Sequence, residues 1–117
     1  MKLSEHFTTE EFACKCGCGF DTPVPELVQA LELIRTLLDA PMTVTSGCRC
    51  LNHNAAIGGD AHSWHMVGQA ADIHAPDKKS KYRLVTVAIG SGVTDIGVYD
   101  WGLHFAVGTA LGLWRGK

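Results

Sequence analysis

The chain has 117 residues, 46% of them hydrophobic and 19% charged, with a formal net charge of −2. That length encloses one core and is too short for two domains, and the composition is too apolar for a disordered tail. The 10 Lys and Arg are scattered and form no patch able to neutralise several phosphates, which excludes nucleic acid as a partner. The longest apolar stretches, such as Leu84–Ile89, fall far short of the roughly 20 residues that span a bilayer, so no membrane role is expected.

The opening Met1–Glu11 is polar and acidic and lacks the basic-then-apolar pattern of a secretory signal, so synthesis into the cytoplasm is expected. With no repeat, low-complexity tract or linker, residues 1–117 read as a single domain, expected to be a monomer. Thr8 and Glu11 stand at capping-box spacing, predicting a helical turn through Phe12 with Phe7 and Phe12 packing inward. After Pro23 and Pro25, Leu27, Leu31, Ile34 and Leu38 recur at i, i+4, i+7 and i+11, predicting an amphipathic helix of about four turns.

Met42–Thr45 alternates and is β-rich, predicting a short strand that delivers Cys48, Arg49 and Cys50 to the edge of the core. A helical turn follows over Leu51–Ile57, closed by Gly58-Gly59. Trp64–Val67 and Ala70–His74 read as two strand-like pieces around a turn at Gly68. A helix is expected from about Lys79 to Ile89, capped by Asp77, with Tyr82, Val85 and Ile89 on one face. Asp95–Tyr99 and Leu103–Val107 alternate about Asp100-Trp101-Gly102, a hairpin signal. The class is therefore α+β, a small antiparallel sheet with helices packed on one side.

Six His and five Cys are many for so short a chain. Among them His65, Asp72 and His104 are the best candidates for a mononuclear metal site. Two imidazoles and a carboxylate suit zinc, and three protein ligands leave the fourth tetrahedral position open, as catalytic rather than structural zinc requires. Alternation within Leu103-His104-Phe105 turns His104 away from its apolar neighbours, free to meet the other two.

The segment Ser63-Trp64-His65-Met66-Val67-Gly68-Gln69-Ala70-Ala71-Asp72 fits, without a gap, the S-x-H-x-x-G-x-A-x-D pattern of the zinc D-alanyl-D-alanine carboxypeptidases and their murein-endopeptidase relatives. Leu3–Phe7 with Phe12-x-Cys14, Ser46–Cys50 with His53-Asn54 and Gly58-Gly59, and Gly97-x-Tyr99 before His104 also resemble the small phage-type members in order and spacing. The resemblance covers nearly the whole chain. It implies a fold shared with the hedgehog signalling domain, Zn2+ held at His65, Asp72 and His104, and peptidoglycan stem peptides as substrates. It also implies a phage-associated protein, or one released to the cell wall, made in a bacterial host.

Zinc in such a site provides hydroxide near neutral pH and polarises the scissile carbonyl, and a nearby carboxylate shuttles the proton to the leaving amine. The resemblance places Arg49, in the S-G-x-R segment, against a substrate carboxylate or the oxyanion. Ser63 and, as a hairpin-tip aromatic able to stack, Trp101 are the candidates for substrate contact. The small members carry H-x-D at the last ligand, where this chain reads His104-Phe105-Ala106, so the expected Asp is an Ala. Asp100 is the nearest replacement base, if the turn at Trp101-Gly102 folds its carboxylate back. The competing role for Asp100 is turn formation.

Of the other histidines, His6 and His53 read as surface or capping residues, His62 as a loop residue near the substrate or in solvent, and His74 as able to orient a ligand. Cys14, Cys16, Cys18 and Cys50 admit two readings, a structural zinc site or disulfides tying the N-terminal cluster to the Cys48–Cys50 strand. Either braces Arg49. Two alternatives to the peptidase stand beside it. One is a zinc-bearing but catalytically silent module that binds the wall or serves a structural role, favoured by Ala106. The other is a thiol-rich protein whose cysteine cluster is its main metal site.

Overall fold

Thr9–Phe12 form the expected helical turn, α1, in the computed structural model, which describes residues 1–116. The Glu11 carboxylate accepts the Thr8 backbone N–H at 2.7 Å, and Phe7 and Phe12 are buried with ring centroids 6.0 Å apart. Pro25 opens the long helix α2, Pro25–Leu38, where a missing N–H costs nothing. Leu27, Leu31 and Ile34 are fully buried, and each such side chain contributes about 1.5–3 kcal/mol.

The first strand, β1, is Val44–Ser46, slightly later than the alternation suggested. It leads into helix α3, Leu51–Ala56, whose N-cap is Cys50. Trp64–Val67 is a 3-10 helix, which corrects the strand expected there. The Ser63 hydroxyl accepts the His65 backbone N–H at 3.2 Å, and Gly68, with φ of 71°, closes the turn in the left-handed region. These two end groups override the β-rich composition of the segment.

Strand β2, Ala70–His74, follows as read. Helix α4, Lys78–Ala88, starts at the expected Asp77 cap, whose carboxylate accepts the Ser80 N–H at 2.7 Å. Its buried face is Leu84 and Ala88; Tyr82 and Ile89 are exposed, because the helix ends at Ala88 and turns its 82 position to solvent. The hairpin forms as strands β3, Asp95–Val98, and β4, Gly102–Ala106, and a last strand, β5, spans Gly112–Arg115.

The five strands lie in the order β1-β2-β4-β3-β5. The neighbours are antiparallel, as expected, except β3 and β5, which run parallel. Alternation divides its faces. Ala71, Ile73, Leu103, Phe105 and Ile96 join Leu27, Leu31, Ile34, Leu84 and Ala88 in one core, so α2 and α4 cover one side. Asp72, His104, Ala106, Asp95 and Gly97 therefore share the other side.

The centre of the sheet tolerates little. A Cβ on Gly102 would overlap the Ile73 carbonyl oxygen of the paired strand, and backbone cannot swing aside as a side chain can. Gly102→Ala is expected to lower stability by about 1–3 kcal/mol, the usual cost of overpacking, measured by urea unfolding. An unchanged midpoint would refute this.

Candidate active site

Three neighbouring pieces of chain bring the ligand candidates together. The 3-10 helix delivers His65, and the register of β2 with β4 sets Asp72 directly across from His104. Asp72 Oδ1 lies 3.0 Å from His65 Nε2 and 3.1 Å from His104 Nδ1, and all three side chains are buried. One ligand atom from each lies within 4.8 Å of the others. The seven residues from His65 to Asp72 run through a 3-10 turn, a left-handed Gly68 and the start of β2.

The hydrogen bonds around the triple show what it lacks. His65 Nδ1 lies 2.7 Å from the Gly47 carbonyl oxygen, which can only accept, so the ring proton sits on Nδ1. In the neutral ring Nε2 then presents a lone pair to a carboxylate oxygen. Two acceptors at 3.0 Å call for a cation between them. The residues thus fit a divalent metal on the chemistry of the donor set, with the Gly47 carbonyl fixing the tautomer as metal sites commonly do. Burial raises the Asp72 pKa, but the His104 and His65 rings beside it outweigh that effect and hold the carboxyl well below the usual range. It is an anion at any physiological pH.

Arg49 lines the cleft and is also bonded to the ligand candidate Asp72. Its Nη2 donates to Asp72 Oδ2 at 2.9 Å, its Nε to Ser46 Oγ at 3.0 Å, and its Nη1 to Asn54 Oδ1 at 3.4 Å. The guanidinium is held by the protein and its first task is to fix Asp72, although it also lines the cleft.

The cleft over these residues has a volume of about 530 Å³ and is open on one side. Ser63 and Trp101 line it, and Trp101 stacks on Tyr99 with centroids 4.6 Å apart. His62 lines the rim, whereas His74 is exposed and outside the cleft, so it orients no ligand. His6 pairs with Glu32 at 2.6 Å on the surface, in keeping with the surface role read for it.

Asp100 is not the replacement base. Its side chain is 91% exposed and paired with Arg115 at 3.0 Å, and its carbonyl accepts from Lys81. The hairpin turn points it outward, away from the ligand triple. Ala106 is fully buried on the ligand face, and its partner across the β3–β4 ladder is Asp95. Asp95 lines the cleft, and its Oδ2 lies 3.9 Å from His104 Nε2. Trp114 Nε1 donates to both its oxygens, at 3.0 and 3.1 Å.

Asp95 and Trp114 line the cleft without having been singled out by sequence pattern, and Tyr99, named there only within Gly97-x-Tyr99, joins them. The signal was present for Asp95: in an antiparallel hairpin a carboxylate missing from one strand can come from the facing position of the other. The turn length that sets that register was legible only once the hairpin was seen.

The cysteines form a second group. Cys14, Cys16, Cys18 and Cys50 offer sulfurs within 4.8 Å of one another, and all five cysteines are free thiols, so the disulfide reading does not hold in this structure.

Comparison with known proteins agrees with this geometry. No curated protein matches. Among solved structures, the Serratia marcescens L-Ala D-Glu endopeptidase ChiX is similar in fold, with a TM-score of 0.58 and 16% identity over 73% of this chain and 80% of that one. The model of the M15 peptidases, a zinc-dependent family, matches residues 5–106, a span that takes in the three ligand candidates and most of the cleft. This chain belongs to the peptidase M15 family.

Proposed function

We propose that this chain is a zinc-dependent peptidase that cleaves peptidoglycan stem peptides, as a D-Ala-D-Ala carboxypeptidase or as an endopeptidase. The observation that carries the reading is the convergence of His65, Asp72 and His104, with one ligand atom from each within 4.8 Å of the others, in the cleft of an M15 chain. The endopeptidase activity named for ChiX supports the substrate class. Zinc held by these three residues would supply a Lewis acid for the scissile carbonyl and hydroxide near neutral pH.

The chain's own groups do the rest. Of the carboxylates lining the cleft, Asp72 is a ligand candidate and Asp60 is exposed, which leaves Asp95, half-buried, to take the position of proton carrier that Ala106 leaves empty. The Trp114 indole N–H pins it, leaving oxygen lone pairs to accept a proton and return it to the leaving amine. Trp101, Tyr99 and Trp114 form an aromatic wall against which a peptide packs. Arg49 keeps Asp72 in place and offers its remaining N–H groups to a substrate carboxylate.

The test is mass spectrometry of purified muropeptides incubated with the zinc-loaded protein and with protein stripped by a chelator. Cleavage that is lost with zinc and returns with it is the expected result, and the mass released names the bond. Cleavage that survives chelation would overturn the zinc dependence. The alternative, a catalytically silent wall-binding module, rests on Ala106; it predicts intact muropeptides that co-sediment with the protein.

A further inference from the structure

Outside the lining of the cleft, the four clustered cysteines have no part in the mechanism above. Cys14 Sγ lies 3.4 Å from Cys16 Sγ, which lies 3.5 Å from Cys50 Sγ, and Cys18 completes a set within 4.8 Å. These distances are far too long for disulfides, whose sulfurs sit about 2.05 Å apart. They are close to the edge of a tetrahedron of sulfurs around zinc, about 3.8 Å for a zinc–sulfur bond of about 2.3 Å. Side chains that merely shared a surface would have no reason to aim four sulfurs at one point from two segments 32 residues apart, Cys18 and Cys50.

The backbone supports the same reading. Cys14 Sγ accepts the Cys50 backbone N–H and Cys50 Sγ accepts that of His53, both at 3.4 Å, and N–H donors aimed at sulfur favour the thiolate. Gly17 and Gly19, at φ of 82° and 92°, take the left-handed turns that let Cys14, Cys16 and Cys18 converge although they alternate in sequence. Cys48, the odd fifth cysteine, lies buried in the core and outside the cluster, which explains the uneven count.

We propose that Cys14, Cys16, Cys18 and Cys50 bind a second zinc ion in a closed tetrathiolate site that serves structure rather than catalysis. Four ligands leave no open position for water or substrate. Binding releases the thiol protons to solvent and involves no oxidation or reduction. The ion would join the loop after α1 to the N-cap of α3, and so lock the segment carrying both Arg49, which holds Asp72, and Gly47, whose carbonyl fixes His65.

The experiment is metal analysis and native mass spectrometry of the full chain, purified under reducing conditions with zinc present, together with the absorption spectrum of the cobalt-substituted protein. Two zinc ions per chain are expected. His104→Ala should reduce the count to one and leave the sulfur-to-cobalt charge-transfer band at full strength, and Cys18→Ser should reduce the count to one and abolish that band. If Cys18→Ser does not fold, the His104→Ala spectrum decides alone. A single zinc that His104→Ala removes, with no charge-transfer band, would overturn the proposal. Iron in place of zinc at the thiolates would overturn the choice of metal.

Discussion

Asp95→Asn is expected to lower kcat on muropeptides by about 10²- to 10⁴-fold, the usual worth of a positioned acid/base. Ala106→Asp added to that variant should return a substantial part of the loss. Positions 95 and 106 are paired across the β3–β4 ladder on the ligand face, so either can project a carboxylate toward His104. In the Asp95→Asn background the carboxylate introduced at position 106 meets a neutral amide that can donate to it. In the wild-type background the same introduced carboxylate would meet Asp95, and two adjoining carboxylates in a half-buried setting resist joint ionisation. Ala106→Asp alone should therefore gain no activity and lose stability. The exchange separates this reading from a merely structural Asp95, since a structural loss would lower the melting temperature without being repaired by a carboxylate on the opposite strand. Full activity of Asp95→Asn would sink the assignment.

The same pair of positions shows what could be read from sequence. The ligand candidates were legible because His65 and Asp72 stand in a fixed ten-residue pattern, and because strand alternation alone turns His104 away from Leu103 and Phe105. The helix α2 was legible from its leucine spacing, and the start of α4 from Asp77. Trp64–Val67 was misread because its composition is that of a strand, while its geometry is decided at its ends by Ser63 and Gly68. The parallel strand β5 could not be found, since Gly112–Arg115 is too short to carry a pattern and its direction depends on where β3 lies. Register is the common cause of the misses. Asp95 becomes a candidate, and Asp100 ceases to be one, only when the turn fixes which residues face each other. Arg49 shows the complementary limit: its presence in the site followed from its motif, but its commitment to Asp72 follows from the strand end that aims it.

That commitment makes Arg49 a test of how the site is held when no metal is bound. The Arg49–Asp72 pair is 13% and 8% exposed, and the other side chains against the Asp72 carboxylate are the His65 and His104 rings. Removing one member of such a buried pair leaves a charge with no partner and commonly costs about 3–5 kcal/mol. Arg49→Gln is expected to lose stability in that range when the cleft metal is absent, and much less when zinc is present, because the metal then compensates Asp72 in place of the guanidinium. Urea unfolding of the variant and the wild type, each with zinc and after chelation, measures the difference. Any effect of chelation on the cysteine cluster is common to both proteins and cancels in the comparison. Arg49→Lys should recover only a part, since one ammonium cannot reach Ser46, Asn54 and Asp72 together as the guanidinium does. An equal loss in both metal states would mean that Arg49 stabilises the segment through packing and its other hydrogen bonds rather than through the charge of Asp72.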